Sequence, residues 1–321
     1  MIVGAGAAHL LAFALHPAAW AGVLSVTGLF AWWLHRRRNS ATPGEVRSFL
    51  GAMAVLLVAT TWPLAGLAAH RLLVALVVQR LLLMLAVPPL LLRGMPRPLV
   101  ATLTRPAPLD ALARLCSRPA AAVVIVTVVA VGTLNIPAVV LQSQSAAARG
   151  GFDLLVLAAG VVLWLPVLRP VPGTGTTSAL GRAGYLVVQS IVPSFLSIVW
   201  IFARHPLYPP FAHTGRTLLL SPLTDQELSG FVAKLGTIFV LWAVAFVVVT
   251  RAEQVAEQGG DPEPLTWSDV ERELERVARR ERRGAGMPPG RGPAPTGHPP
   301  RPREQDHGPG GPAGGARPGG G

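Results

Sequence analysis

Long, unbroken apolar blocks fill most of the chain before residue 250, and they limit the possible folds more than any other feature. Examples are "AMAVLLVAT", "VVIVTVVAVG" and "FVLWAVAFVVV". Several blocks reach the roughly 20 residues with which a helix crosses a hydrocarbon core of about 30 Å. They are too long and too continuously apolar for the alternating strands of a membrane barrel. The sequence therefore predicts an all-α polytopic membrane protein, a helical bundle.

Composition and charge support this class. Of the 321 residues, 51% are hydrophobic and only 14% are charged, whereas soluble domains carry about 25% charged residues. The net charge of +12 falls almost wholly in short connections and in the tail. No DNA- or RNA-binding motif accompanies it, so the sequence predicts no nucleic-acid partner. The single cysteine, Cys116, excludes an internal disulfide and a CxxC motif.

The pattern predicts seven spans, at about 18–34, 49–69, 72–92, 120–141, 152–168, 184–203 and 230–250. Arginine is more frequent after the first, third and fifth spans than on the opposite side. This excess predicts that those connections are cytoplasmic, with the amino terminus outside and the carboxy terminus inside. We interpret the first residues as a lead-in to the first span, not as a signal peptide.

The composition changes along the chain and divides it into three regions. Residues 1–251 form the predicted transmembrane domain. Residues 252–284 form a cytoplasmic segment with a short charged helix. Residues 285–321 are rich in Gly, Pro and Arg without a period, which predicts a disordered tail.

Polar side chains inside or beside the apolar blocks are the main candidates for function. They are Gln79, Arg80, Asn135, Arg149, Asp153, Asp225, Gln226 and Lys234. Given the predicted orientation, all lie toward the outer face, and a charge at this depth needs a partner, water or the bundle interior. We expect Arg80 to pair with Asp153 or Asp225. Such a layer could join helices or bind a ligand or partner; alternatively, Arg80 and Lys234 could reach the outer headgroups.

Four segments resemble the CtaG family of membrane proteins, which assist assembly of caa3-type cytochrome c oxidase. The segments are "VVQRLLLMLAVPPLLLRGMP", "LNIPAVV", "FDLLVLAAGVVLWLPVL" and "LTDQELSGFVAKLG", and the resemblance is strongest over residues 49–249. Among the polar residues, Gln79, Asp225 and Gln226 match the family. The matching positions with expected structural roles are Pro88, Pro89, Gly94, Pro96, Pro137, Trp164, Pro166 and Gly230.

The chain departs from the family where the resemblance implies histidines. Leu76, Arg80 and Asn135 stand at three such positions, and Arg149 lies near a fourth. The resemblance implies copper as a cofactor, since imidazole suits copper, but these residues do not supply imidazoles. We therefore predict no metal site. The remaining candidates, His70, His205, His213 and Met84, are too scattered along the chain to make one.

The resemblance implies a non-enzymatic assembly or maturation factor for a respiratory cytochrome c oxidase in a bacterial plasma membrane. Its partners would be the lipid bilayer and oxidase subunits or a copper-delivery protein. The last outer loop, "RHPLYPPFAHTGRTLLLSPLTDQ", has aromatics and prolines that suit a docking surface. A small transporter or channel for an anion or metal complex is the alternative. The sequence shows no motif of an enzyme active site.

Overall fold

The structure is a computed structural model that describes residues 17–36, 41–61, 63–168, 178–192, 195–212 and 220–257. These residues belong to one compact unit, Met1–Glu263. The predicted charged helix and the predicted disordered tail lie outside the described residues, as does the start of the chain.

The described residues are almost entirely helical, as predicted. The helices are α1 (Pro17–Arg36), α2 (Pro43–Thr60), α3 (Leu64–His70), α4 (Leu73–Gly94), α5 (Arg97–Leu103), α6 (Ala107–Cys116), α7 (Pro119–Thr133), α8 (Ile136–Gln144), α9 (Ala146–Leu168), α10 (Ala179–Ile191), α11 (Phe195–Phe202), α12 (Pro209–Ala212) and α13 (Pro222–Glu257).

Five helical segments are long and apolar enough to cross a membrane. They are α2, α4, α9, the segment Ala179–Phe202 that contains α10 and α11, and α13. The pair α6 and α7 gives a sixth if it counts as one span, although its two helices meet at 87°. The prediction that several helices could cross a membrane is confirmed, with five or six such helices among the described residues. The count of seven and the orientation stay predictions.

Two of the predicted continuous spans are broken in the structure. The segment predicted at 49–69 stops at Thr60 and restarts at Leu64. The segment predicted at 120–141 stops at Thr133, and Asn135 begins a new helix. The Asn135 side chain accepts a hydrogen bond from the Ala138 amide at 2.8 Å, so it caps the helix as asparagine commonly does. Asn135 therefore does not lie within the last turns of a continuous span.

Helix α4 is the centre of the bundle. In the 18-residue apolar stretch of α4, 56% of the residues are buried, whereas in that of α13 only 11% are buried. Its first half packs against α13, and its second half packs against α2 and α9. The outward faces stay apolar, for example Leu154, Phe239 and Phe246, each at least two-thirds exposed. Apolar faces of this extent suit lipid better than water.

A π-helical turn, Leu82–Ala86, interrupts α4 just before the Pro88–Pro89 pair. The carbonyl of Met84 lies four residues before Pro88 and five before Pro89, and neither proline has an amide to donate to it. Trp164 on α9 donates its indole N–H to this oxygen at 3.2 Å. Two of the segments that resemble the family are thus joined by a hydrogen bond between helices.

Glycines allow close approach at three helix crossings. A Cβ added at Gly160 would lie 2.6 Å from the Pro88 ring, and one at Gly94 would lie 2.5 Å from the Phe49 amide nitrogen. At Gly230 it would lie 2.8 Å from the Ser197 carbonyl oxygen. Side chains at these positions would push apart the pairs α4–α9, α4–α2 and α13–α11 respectively.

Candidate functional site

A buried ion pair between α4 and α9 forms the core of the candidate site. The Arg80 Nη1 atom lies 2.7 Å from Asp153 Oδ1, and the two side chains are 5% and 16% exposed. The Gln79 side-chain amide (Nε2) also donates to Asp153 Oδ2, at 3.3 Å. Both charges therefore neutralise one another inside the bundle, which is the arrangement that a charge in an apolar helix requires.

Gln142 at the end of α8 is the second partner of Arg80. The Arg80 Nη2 atom donates to Gln142 Oε1. The Gln142 side-chain amide (Nε2) in turn donates to the Thr133 carbonyl at 2.8 Å and to the Ala138 carbonyl at 3.0 Å. Because α7 ends at Thr133, this glutamine connects the guanidinium to the break between α7 and α8.

Arg149 completes the cluster at the start of α9. Its Nη2 atom donates to the Gln142 backbone carbonyl at 2.9 Å, and its charge interacts with Arg80 and with Asp153. The cluster thus holds two cations and one carboxylate. We call Gln79, Arg80, Gln142, Arg149 and Asp153 the Arg80 cluster.

Asp225 and Gln226 belong to a separate arrangement at the start of α13. The Asp225 carboxylate accepts hydrogen bonds from the Leu73 and Val74 amides at 2.6 and 3.1 Å. These amides open α4 and have no acceptor within their own helix. Gln226 accepts from the Leu207 amide at 2.7 Å. Asp225 is therefore a cap supplied by another helix, and it does not pair with Arg80.

The other two predicted site residues lie outside both arrangements. Asn135 is exposed and serves as the cap of α8. Lys234 is half-buried on α13, and among the described residues the salt bridges are those of Arg80 with Asp153 and Arg114 with Asp110. The structure thus divides the eight predicted residues among local contacts instead of one continuous network.

The last loop turns its described aromatics inward. Tyr208 and Phe211 are only 3% and 4% exposed, so the expectation that they form a docking surface is wrong. Tyr208 donates to the Leu134 carbonyl at 2.6 Å and accepts from the Trp200 indole at 2.9 Å. Burial raises the pKa of Tyr208 to about 12, which keeps its hydroxyl protonated as a donor.

The matched positions do not fit a copper site. Leu76 is buried in an apolar cluster, Arg80 is occupied by its ion pair, and Asn135 uses its oxygen as a helix cap. The described residues contain no group of three His, Cys, Asp or Glu side chains placed to hold a metal. A guanidinium is a cation without a lone pair to give a metal, so the Arg80 cluster would repel one.

Sequence reasoning overlooked Gln142, which is 3% exposed and bonds to Arg80. A polar amide after the apolar run "IPAVVL" was the available signal, but such residues commonly lie at a membrane surface. Ser48 was also missed. Ser48 donates to the Leu90 carbonyl at 2.8 Å, near the end of α4.

Comparison with known proteins gives one informative match. Among the curated proteins and among the solved structures, nothing matches the chain. A family model described as cytochrome c oxidase caa3 assembly factor (Caa3_CtaG) matches residues 28–254, well over half of the chain. The chain therefore belongs to this family and is a multi-pass membrane protein.

Proposed function

We propose that this protein is a non-catalytic assembly or maturation factor for a respiratory cytochrome c oxidase in a bacterial plasma membrane. Membership of the Caa3_CtaG family carries the proposal. The apolar helices support it, because an oxidase is assembled within the bilayer and its helper must share that solvent. Oxidase subunits or a copper-delivery protein are the proposed partners.

We further propose that the protein acts through partner contacts and holds no copper of its own. The support is chemical: Arg80 and Asn135 stand where the family resemblance implies imidazoles, and both side chains have other bonds in the structure. A buried arginine that pairs with Asp153 fixes the spacing of α4, α8 and α9 instead. The Arg80 cluster would then support the helix packing from inside the bundle and would not supply a metal ligand set.

Deletion of the gene tests the assembly role. We expect oxidase activity and the copper content of the oxidase to fall in the deletion strain, and the wild-type gene to restore both. Normal oxidase with normal copper in the deletion strain would refute the assembly role.

Metal analysis of the purified protein tests the second part separately. After copper loading and a chelator wash, we expect less than one copper per chain. Stoichiometric, chelator-resistant copper would refute the copper-free mechanism while leaving the assembly role standing.

The orientation is part of the same proposal. Arginine-rich connections after the first, third and fifth predicted spans support an outside amino terminus and a cytoplasmic carboxy terminus. The Arg80 cluster would then face the outer leaflet. Impermeant labels on single cysteines at the two ends, in a Cys116→Ser background, should react from opposite sides. Reaction of both ends from one side would contradict an odd number of spans.

A further inference from the structure

The connection between α4 and α7 contains two short helices, α5 and α6, at one end of the bundle. Helices α6 and α7 are bent by 87° at the break between them, and α7 packs against the apolar helix α9. Cys116 on α6 is buried in the same apolar cluster as Leu92 and Val167, which lie near the ends of α4 and α9. Helix α6 therefore lies across the end of the bundle, at about a right angle to α7, and does not extend α7 along it.

The exposed surface of α6 has two chemically different sides. Leu109, Leu112 and Leu115 recur every three residues along the helix, and each is about half exposed. Asp110 and Arg114 form an exposed ion pair at 2.7 Å. Leu112 lies two residues from each of them, which places it about 200° away around a helix of 3.6 residues per turn. The leucines thus occupy one side of α6, and the ion pair occupies the opposite side.

The same connection is strongly basic. Residues 93–118 contain five arginines and one acid, hence a formal net charge of +4. All five arginines are exposed, and they are Arg93, Arg97, Arg105, Arg114 and Arg118. Because α4 ends and α7 begins in this connection, these arginines share one end of the bundle. An excess of arginine is enough to orient a membrane protein, but orientation does not account for exposed leucines beside the arginines.

A bilayer surface with anionic lipids matches both features. A helix with an apolar side and a polar side lies in the plane of the interface, with its apolar side toward the acyl chains. Basic residues beside a membrane span attract anionic headgroups. An acidic protein partner would match the charge, but it would need an apolar patch of its own to cover the leucines.

We propose that α6 lies in the plane of the membrane surface, with Leu109, Leu112 and Leu115 toward the acyl chains. The arginines of residues 93–118 then bind anionic phospholipid headgroups of the bilayer that holds the protein. This connection would be a lipid-binding surface in addition to a link between two helices.

Fluorescence quenching of the full-length protein in liposomes tests the position of α6. A fluorophore would be attached to Leu112→Cys or to Ala107→Cys in a Cys116→Ala background. Ala107 is exposed and lies three residues before Asp110, so it shares the polar side of α6. Val128→Cys, on the exposed face of α7, marks full contact with lipid chains. We expect acyl-brominated phosphatidylcholine to quench the labels at 112 and 128 strongly, and the label at 107 much less.

The label at position 112 also tests the preference for anionic lipid. The liposomes would contain phosphatidylcholine with a minor fraction of phosphatidylglycerol, and either one lipid or the other would carry the bromine. We expect brominated phosphatidylglycerol to quench this label more than its share of the lipid predicts. Added sodium chloride should reduce the excess, because salt screens exposed charges. The label at 128 should be quenched in proportion to the lipid composition.

Two matched double variants locate the headgroup site. Arg97→Gln with Arg105→Gln should remove most of the excess quenching, because each arginine beside an anionic surface changes the affinity about fivefold. Arg71→Gln with Arg204→Gln removes two exposed arginines at the opposite end of the bundle, before α4 and after α11. This control should leave the excess unchanged.

Two results would overturn the proposal. Equal quenching at 107 and 112 would show that α6 does not turn its leucine side to the bilayer. Strong quenching at both positions would mean that α6 and α7 form one bent span, and weak quenching at both would mean that the leucines face water or a protein. An excess that is absent, or that neither salt nor the Arg97 and Arg105 substitutions reduce, would show that the arginines do not bind anionic lipid. These measurements do not involve the oxidase, so their outcome is independent of the proposed assembly role.

Discussion

Replacing Asp153 by alanine should destabilise the bundle far more than replacing Asp110 by alanine. Both carboxylates lie 2.7 Å from an arginine nitrogen, but the Arg80–Asp153 side chains are 5% and 16% exposed, and those of Arg114 and Asp110 are 51% and 34% exposed. Removing one member of a buried pair leaves the other charge uncompensated and costs about 3–5 kcal/mol. The exposed pair is hydrated and screened, so its loss should be too small to resolve.

A double-mutant cycle separates the pair from its surroundings. The single variants are Arg80→Met and Asp153→Ala, and the double variant removes both charges. Because apolar replacement of a whole buried pair is often nearly neutral, the double variant should be more stable than the sum of the single effects predicts, by about 1–3 kcal/mol.

The free energy of unfolding would be measured by titration with sodium dodecyl sulfate in mild detergent micelles, with helicity as the signal. Additive single effects would show that Arg80 and Asp153 do not interact in the folded bundle. An Asp153→Ala effect as small as that of Asp110→Ala would refute the argument that burial sets the magnitude.

Three further substitutions test the helix contacts by the same unfolding measurement. Gly160→Ala should destabilise by about 1–3 kcal/mol through overpacking, because its Cβ would lie 2.6 Å from the Pro88 ring, whereas Gly150→Ala has open space around it and should not; equal effects would contradict the close crossing. Trp164→Phe should cost about 0.5–1.5 kcal/mol by leaving the carbonyl before the proline pair unpaired, and no loss would show that the indole bond is dispensable. Asp225→Ala should cost about 1–2 kcal/mol, as losses of helix caps do, and should increase amide exchange at the start of α4; unchanged exchange there would refute its capping role.

The sequence predicted that Arg80 needs an acidic partner but did not decide which one. A charge in an apolar helix must be neutralised, and Asp153 and Asp225 stood at similar predicted depths. In the structure the two aspartates have different partners. The opening amides of α4 bind Asp225, which leaves Asp153 for the guanidinium. Free amides at a helix start are not visible in a hydropathy pattern, so this choice required three-dimensional information.

The break between α7 and α8 has a local signal in the sequence. "TLNIPAVV" contains asparagine followed two residues later by proline, a common signature of a helix start. A hydropathy value averaged over a window does not show such a break, because the flanking residues are apolar on both sides. The π-helical turn in α4 had no comparable local signal apart from the Pro88–Pro89 pair.

Side chains bind free backbone groups beside the proline pair and at the break between α7 and α8. Pro88 and Pro89 leave the Met84 carbonyl free, and Trp164 donates to it. The cap at Asn135 takes the Ala138 amide, and Tyr208 donates to the neighbouring Leu134 carbonyl.

None of these contacts involves the side chain at position 80. They hold α4 against α9, and the α7–α8 break against the last loop, whichever residue stands there. These contacts therefore do not depend on whether position 80 carries the imidazole that the resemblance implies or a guanidinium. At position 80 itself, the guanidinium repels a cation and adds a further contact between α4 and α9 through Asp153.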